Sequence, residues 1–239
     1  NVFVIHSKYN VVRNNYAYSD AWYNVSGNMY GGRVAASKDS SSACNQGWNL
    51  IEGNRIAYPA MNGESNISQS MYQVQSHNEI FRKNMFYASF GGFSVYNVDD
   101  NCRNVKENYF YNNVFFYTDR GGNSNRHYGI VIWDYTNKSD GIAINGTVLK
   151  NNLFNHNANG GIRIHPNGDV INTVMESNWD DFNGDPKFVD ADPLKTTDPT
   201  NANYPNFNLQ SNSPCIDNGT HLTKTAGSGS VSKSLKVDD

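Results

Sequence analysis

Phe81-Arg82-Lys83-Asn84 is one of six copies of a short phrase: an apolar residue, then Arg, Lys or Glu, then any residue, then Asn. The others are Val12-Arg13-Asn14-Asn15, Ile51-Glu52-Gly53-Asn54, Val105-Lys106-Glu107-Asn108, Leu149-Lys150-Asn151-Asn152 and Met175-Glu176-Ser177-Asn178. Their closing Asn residues stand 39, 30, 24, 44 and 26 positions apart. Irregular recurrence at this period points to a solenoid whose coils carry insertions of different length. Apolar and charged residues alternate within each phrase, so the repeating piece is a strand. The 44-residue interval predicts an extra coil containing Trp133.

Asn suits the end of such a strand. It tolerates a left-handed backbone better than other non-Gly residues, and its amide pairs with like amides above and below. A column of Asn therefore predicts a corner repeated at the same place in each coil.

Composition agrees. The 239 residues include 38 Asn, 20 Gly, 15 Tyr and 12 Phe, a mixture that favours strands and turns over helices. Charged residues make up only 17% and the formal net charge is -3, so no basic footprint for nucleic acid is present. No apolar run approaches the length that crosses a bilayer as a helix. Cys44, Cys102 and Cys215 are widely spaced, without the pairing that announces zinc, and leave one bridge open.

Three further segments open on Gly and then alternate: Gly92-Phe93-Ser94-Val95-Tyr96, Gly129-Ile130-Val131-Ile132-Trp133 and Gly161-Ile162-Arg163-Ile164-His165. With Phe93/Val95, Ile130/Ile132 and Ile162/Ile164 facing inward, Ser94/Tyr96, Val131/Trp133 and Arg163/His165 face outward. Stacked coils then place Tyr96, Trp133 and His165 in one outer column, and Ser94, Val131 and Arg163 in its neighbour. An aromatic row beside a guanidinium suits a sugar ring and its carboxylate. The same aromatics also suit packing under long loops. The fold class expected is all-β: a single-stranded right-handed parallel β-helix with a loop-rich C-terminal segment. Its divisions are coils over residues 1–184, a closing segment over 185–222 packed on the last coil, and a flexible tail or following module over 223–239.

The coils ending in Asn with an apolar residue two positions later (Asn84-Met85-Phe86, Asn108-Tyr109-Phe110, Asn152-Leu153-Phe154) resemble the pectate-lyase-like superfamily of right-handed parallel β-helices. Asp185-Pro186-Lys187-Phe188-Val189-Asp190 and the stretch from Phe207 to Gly219, with Ser213-Pro214-Cys215-Ile216-Asp217, resemble the ending of many secreted bacterial members. The resemblance implies a secreted or cell-surface protein acting on polysaccharide; oligomeric state is left open.

Three chemistries are weighed. A lyase needs a neutralised uronate carboxylate and a base for the adjacent proton, for which Arg163, His165 and Tyr96 are the catalytic candidates. Trp133, Asp134, Asp99 and Ser94 are the substrate-binding candidates. An inverting glycosidase needs two carboxyl groups, for which Asp99, Asp100 and Asp134 stand near the ends of the same strands. A non-catalytic binding module needs only the aromatic face. Many lyases of this fold use calcium, and Asp181, Asn183 and Asp185 are the candidate oxygen ligands.

Overall fold

The computed structural model describes residues 2–5, 8–18, 33–36, 47–57, 72–74, 77–87, 93–97, 105–117, 128–134, 143–165, 169–192, 195, 200–222, 224–225 and 237–238. At 2–5, 17–18, 33–36, 72–74, 96–97, 134, 224–225 and 237–238 it describes the backbone course only.

Parallel strands stack in three long sheets. Sheet I joins Val2–Ile5, Arg33–Ala36, Tyr72–Val74, Phe93–Asn97, Ile130–Asp134 and Ile162–Ile164. Sheet II joins Val11–Arg13, Leu50–Glu52, Ile80–Arg82, Tyr109–Tyr111, Val148–Lys150 and Val174–Glu176. Sheet III joins Tyr16–Tyr18, Arg55–Ala57, Met85–Tyr87, Val114–Phe116 and Leu153–Asn155. A short fourth sheet, Val105–Lys106, Ile144–Asn145 and Val170–Ile171, lies between sheets I and II in the later coils. The first five coils each contribute one strand to each long sheet in turn, and the sixth adds strands to sheets I and II and a single bridge from Trp179 to Leu153 of sheet III, which defines a parallel β-helix solenoid. Among the described residues, no helix is long and apolar enough to cross a membrane.

The corner between sheets II and III explains the recurrent phrase. Asn15, Asn54, Asn84, Asn113, Asn152 and Asn178 form one ladder. Asn84, for example, donates its backbone N–H and its Nδ2 to Oδ1 of Asn113, both at 3.0 Å. Its second amide hydrogen goes to the Ile51 carbonyl at 2.8 Å. The pattern repeats at every step, so buried amides are satisfied on both sides.

Three expectations are corrected here. The fourth rung is Asn113, not Asn108, so the intervals are 39, 30, 29, 39 and 26. With this register the supposed extra coil vanishes, because Ile130–Asp134 pairs directly with Phe93–Asn97 on one side and Ile162–Ile164 on the other. Moreover, the rung itself is not the left-handed residue. That role falls to its predecessor: Asn14, Gly53, Lys83, Asn112, Asn151 and Ser177 have φ between 49° and 65°.

Asn108 belongs to a second ladder, at the corner before sheet II. Asn10 donates to Asn49 Oδ1 (2.8 and 2.9 Å), and Asn49 donates to both carboxyl oxygens of the fully buried Glu79. Glu79 N–H then donates to Asn108 Oδ1 at 3.0 Å. In the following coils the register places Thr147 and Thr173 there, because Tyr109, Val148 and Val174 are paired neighbours. Both threonine hydroxyls are buried without a hydrogen-bond partner, so the amide chain stops at Asn108.

Inside the coil, aromatic rings repeat the ladder in apolar form. Phe81 stacks on Phe110 (4.8 Å), Phe86 on Phe115 (4.8 Å) and Phe115 on Phe154 (4.9 Å). Phe93 enters from sheet I and meets Phe81, Phe86 and Phe110 edge-on. Phe93, Val95, Ile130 and Ile132 are fully buried, as the alternation predicts. Fully burying each such side chain contributes roughly 1.5–3 kcal/mol.

The charged position of the phrase forms an outer column on sheet II. Arg13 and Arg82 flank Glu52 at 3.1 and 2.8 Å, and Lys150 meets Glu176 at 3.0 Å. The Arg82 hydrogen bond holds the Glu52 carboxyl below the usual carboxylate range, with Arg13 adding attraction against the cost of burial. Because the folded-state pKa is depressed, this stabilisation is present above the ordinary value of 4.5 and is lost as pH falls through the lower folded value. The fall of Tm on acidification below that range is therefore expected to be shallower in Glu52→Gln than in the parent chain. Parallel curves in a thermal-melt series against pH would exclude this role.

The closing segment lies along the side of the solenoid. Strands Phe188–Asp190 and Asn206–Leu209 pair antiparallel and cover the outer face of sheet III, where Ala57, Tyr87 and Phe116 meet Phe188 and Phe207. Ala57, Tyr87, Phe116 and the partly buried Leu153 come from four successive coils, so this cover runs along the solenoid. Asn151 fastens its far end, accepting from Thr220 N–H (2.7 Å) and donating to Thr220 O (2.9 Å). Beyond it, Lys224–Thr225 and Val237–Asp238 pair antiparallel.

Candidate functional site on the outer face of sheet I

Strand pairing places Tyr96 beside Trp133, Ser94 beside Val131, and Val131 beside Arg163. Ile132 pairs with Ile164 in one neighbour, and the His165 N–H donates to Ile132 O at 2.9 Å. The backbone thus brings the two predicted columns to one face.

Gly129 and Gly161, which open these strands, are required by closeness rather than by an unusual φ. A Cβ on Gly129 would stand 2.4 Å from the Phe154 ring, and one on Gly161 would stand 2.7 Å from Phe154 and 2.4 Å from Asp180 Oδ2. Sheet I therefore starts hard against a core aromatic of sheet III, which fixes where its outward residues begin.

Trp133 and His165 are half-buried and stacked, with ring centroids 5.5 Å apart and planes 24° from parallel. The half-buried Arg163 lays its guanidinium 5.6 Å from the Tyr128 ring centroid. Val131, Trp133, Arg163 and His165 line a hollow of about 60 Å³. Ser94 and Val131 also face outward, yet they are 9% and 2% exposed, so this part of the face is covered.

Of the other predicted site residues, Asp134 pairs with Asn97 through its backbone, and the side chains of Tyr96 and Asp134 lie outside the described residues. Asp99 and Asp100 lie outside them entirely, as do Cys44 and Cys102. Cys215 carries a free thiol. Tyr128 was missed by the sequence reading; its signal is its place immediately before a strand-opening Gly.

The proposed calcium ligands are engaged as caps. Asp181 accepts from the backbone N–H groups of His156 and Asn157, the latter at 3.2 Å, and from Asn157 Nδ2 at 3.3 Å. Burial raises the Asp181 pKa despite these bonds. Asn183 Oδ1 accepts from Asp180 N–H at 2.9 Å, closing a capping box around the short 3-10 turn Asp181–Asn183. Asp185 Oδ1 accepts from Lys187 N–H at 2.8 Å. Among the described residues, no three His, Cys, Asp or Glu side chains gather as a metal site. Acidic residues at turns serve backbone N–H groups as readily as cations.

The stacked parallel sheets and the amide ladders make the chain a parallel β-helix solenoid. No protein-family model, curated protein or solved structure matches it.

Proposed function

We propose that this is a carbohydrate-active β-helix protein, secreted or surface-exposed, that holds an acidic polysaccharide against the outer face of sheet I and cleaves it by β-elimination. The observation that carries the reading is the adjacency of an indole–imidazole stack and a guanidinium on one strand face. Arg163 and His165 stand two positions apart on that face, about 7 Å along the strand. The guanidinium fork suits a uronate carboxylate, whose neutralisation acidifies the proton on the neighbouring carbon. A neutral His165 imidazole takes that proton, the electron pair forms the new double bond, and the glycosidic C–O bond to the leaving sugar breaks. Tyr96, one strand beyond Trp133, is assigned the return of a proton to the leaving oxygen. Trp133 supplies the apolar surface for a ring.

Incubation with alginate, pectate and chondroitin, followed by ultraviolet absorbance, tests the reaction through the new double bond. Replacing His165 or Arg163 by Ala is expected to lower kcat by about a hundredfold or more. Full activity in both variants would reject the assignment. A second reading, a non-catalytic binding module, is favoured by the cover over Ser94 and Val131, which leaves the accessible part of the face small. Polymer retention with neither double bonds nor new reducing ends selects that reading. Reducing ends without the absorbance band select hydrolysis by Asp99, Asp100 or Asp134.

A further inference from the structure

A larger hollow, about 370 Å³, lies on a different side of the solenoid, between the Asn corner of the last three coils and the closing segment. Its size falls within the range of small-molecule sites. The walls have an unusual chemistry: several Asn side chains, Trp179 and Cys215, an apolar floor that includes Leu153 and Leu209, and, among the described residues, no charged side chain.

The fold explains how these amides come to face the hollow. Asn112 and Asn151 occupy the left-handed corner position, with φ of 55° and 57°. The rung amides of Asn113 and Asn152 turn inward to the ladder, whereas the corner residues belong to the outside. Asn151 is consumed by its paired hydrogen bonds to Thr220, which anchor the opposite wall. Asn112 and Asn218 make no side-chain hydrogen bond with any described residue, and both are exposed. They confront each other's side of the hollow as uncommitted amides.

We propose that this hollow is a binding site for a neutral sugar of mono- to disaccharide size. An amide offers two donors and two acceptor lone pairs, and a sugar hydroxyl both donates and accepts, so the two match without any charge. Apolar floor and indole suit the C–H surface of a ring. Burial also pushes the Cys215 thiol up, which keeps that wall uncharged at neutral pH. Uronates gain no counter-ion from the described walls, in contrast to the Arg163 face. The site stands independently of the proposed elimination chemistry.

The test is calorimetric titration of the full chain with maltose, cellobiose, lactose and N-acetylglucosamine, with digalacturonate as the charged control. In parallel, alkylation of Cys215 is followed by peptide mapping. At least one neutral sugar is expected to saturate in the millimolar range and to slow Cys215 alkylation. Asn112→Ala and Asn218→Ala, both at exposed positions, are each expected to weaken it by about tenfold. His165→Ala is expected to leave it unchanged, which separates this site from the sheet I face. The proposal is overturned if no neutral sugar saturates, if both Asn variants bind as the parent does, or if His165→Ala removes the binding.

Discussion

Asn113→Ala is expected to cost about 3–5 kcal/mol of unfolding free energy. Asn113 is 0% exposed. Its Oδ1 is the acceptor for both the N–H and the Nδ2 of Asn84, at 3.0 Å each. Its Nδ2 donates to Phe81 O at 2.9 Å and to Asn152 Oδ1 at 3.0 Å. Alanine would orphan two buried donors on one neighbour and remove donors from two buried acceptors, each orphaned group costing about 1–3 kcal/mol. Against a typical domain stability of about 5–15 kcal/mol, the loss is large. Asn15, half-buried on the first rung, accepts from no preceding rung among the described residues, so Asn15→Ala should cost only about 1 kcal/mol. Urea unfolding of both variants decides the matter: equal, small losses would show that the ladder is a bystander.

Phe115→Ala is expected to produce a comparable loss, about 3–5 kcal/mol, by a different route. Its ring lies between those of Phe86 and Phe154, stacked at 4.8 and 4.9 Å, with Phe93 edge-on at 6.1 Å. Neighbouring coils hold the flanking rings at the strand spacing, so the walls cannot close on the void. Phe182, 86% exposed, provides the comparison, since Phe182→Ala empties nothing. A midpoint shift for Phe115→Ala no greater than that for Phe182→Ala would contradict the packed-stack account.

What the sequence revealed tracks what is local. Alternation in Gly92–Tyr96, Gly129–Trp133 and Gly161–His165 correctly paired three strands far apart in the chain, because inward residues at period two leave no choice of face. The fourth corner was misplaced since two Asn-bearing stretches compete within residues 105–113. The true one, Phe110-Tyr111-Asn112-Asn113, carries Tyr where the phrase demands charge, and its rung is identified only by the amides above and below. Sheet III was harder still. Met85-Phe86-Tyr87 and Val114-Phe115-Phe116 are apolar on both faces because Phe188 and Phe207, far along the chain, cover the outer one. For the same reason the outward direction of Ser94 and Val131 was legible, while their covering was not.

The amide ladder also has an orientation. Every rung from Asn15 to Asn152 gives its backbone N–H and one amide hydrogen to the Oδ1 of the next rung, and every rung from Asn54 onward receives from the one before. Each internal seam therefore presents the same pair of complementary surfaces, whatever length of chain separates the rungs. Such a seam makes the coil an interchangeable module: duplicating or excising one whole turn, cut from rung to rung, restores matching surfaces on both sides. The height of this solenoid is thus adjustable by one whole turn with the hydrogen-bonded spine left continuous.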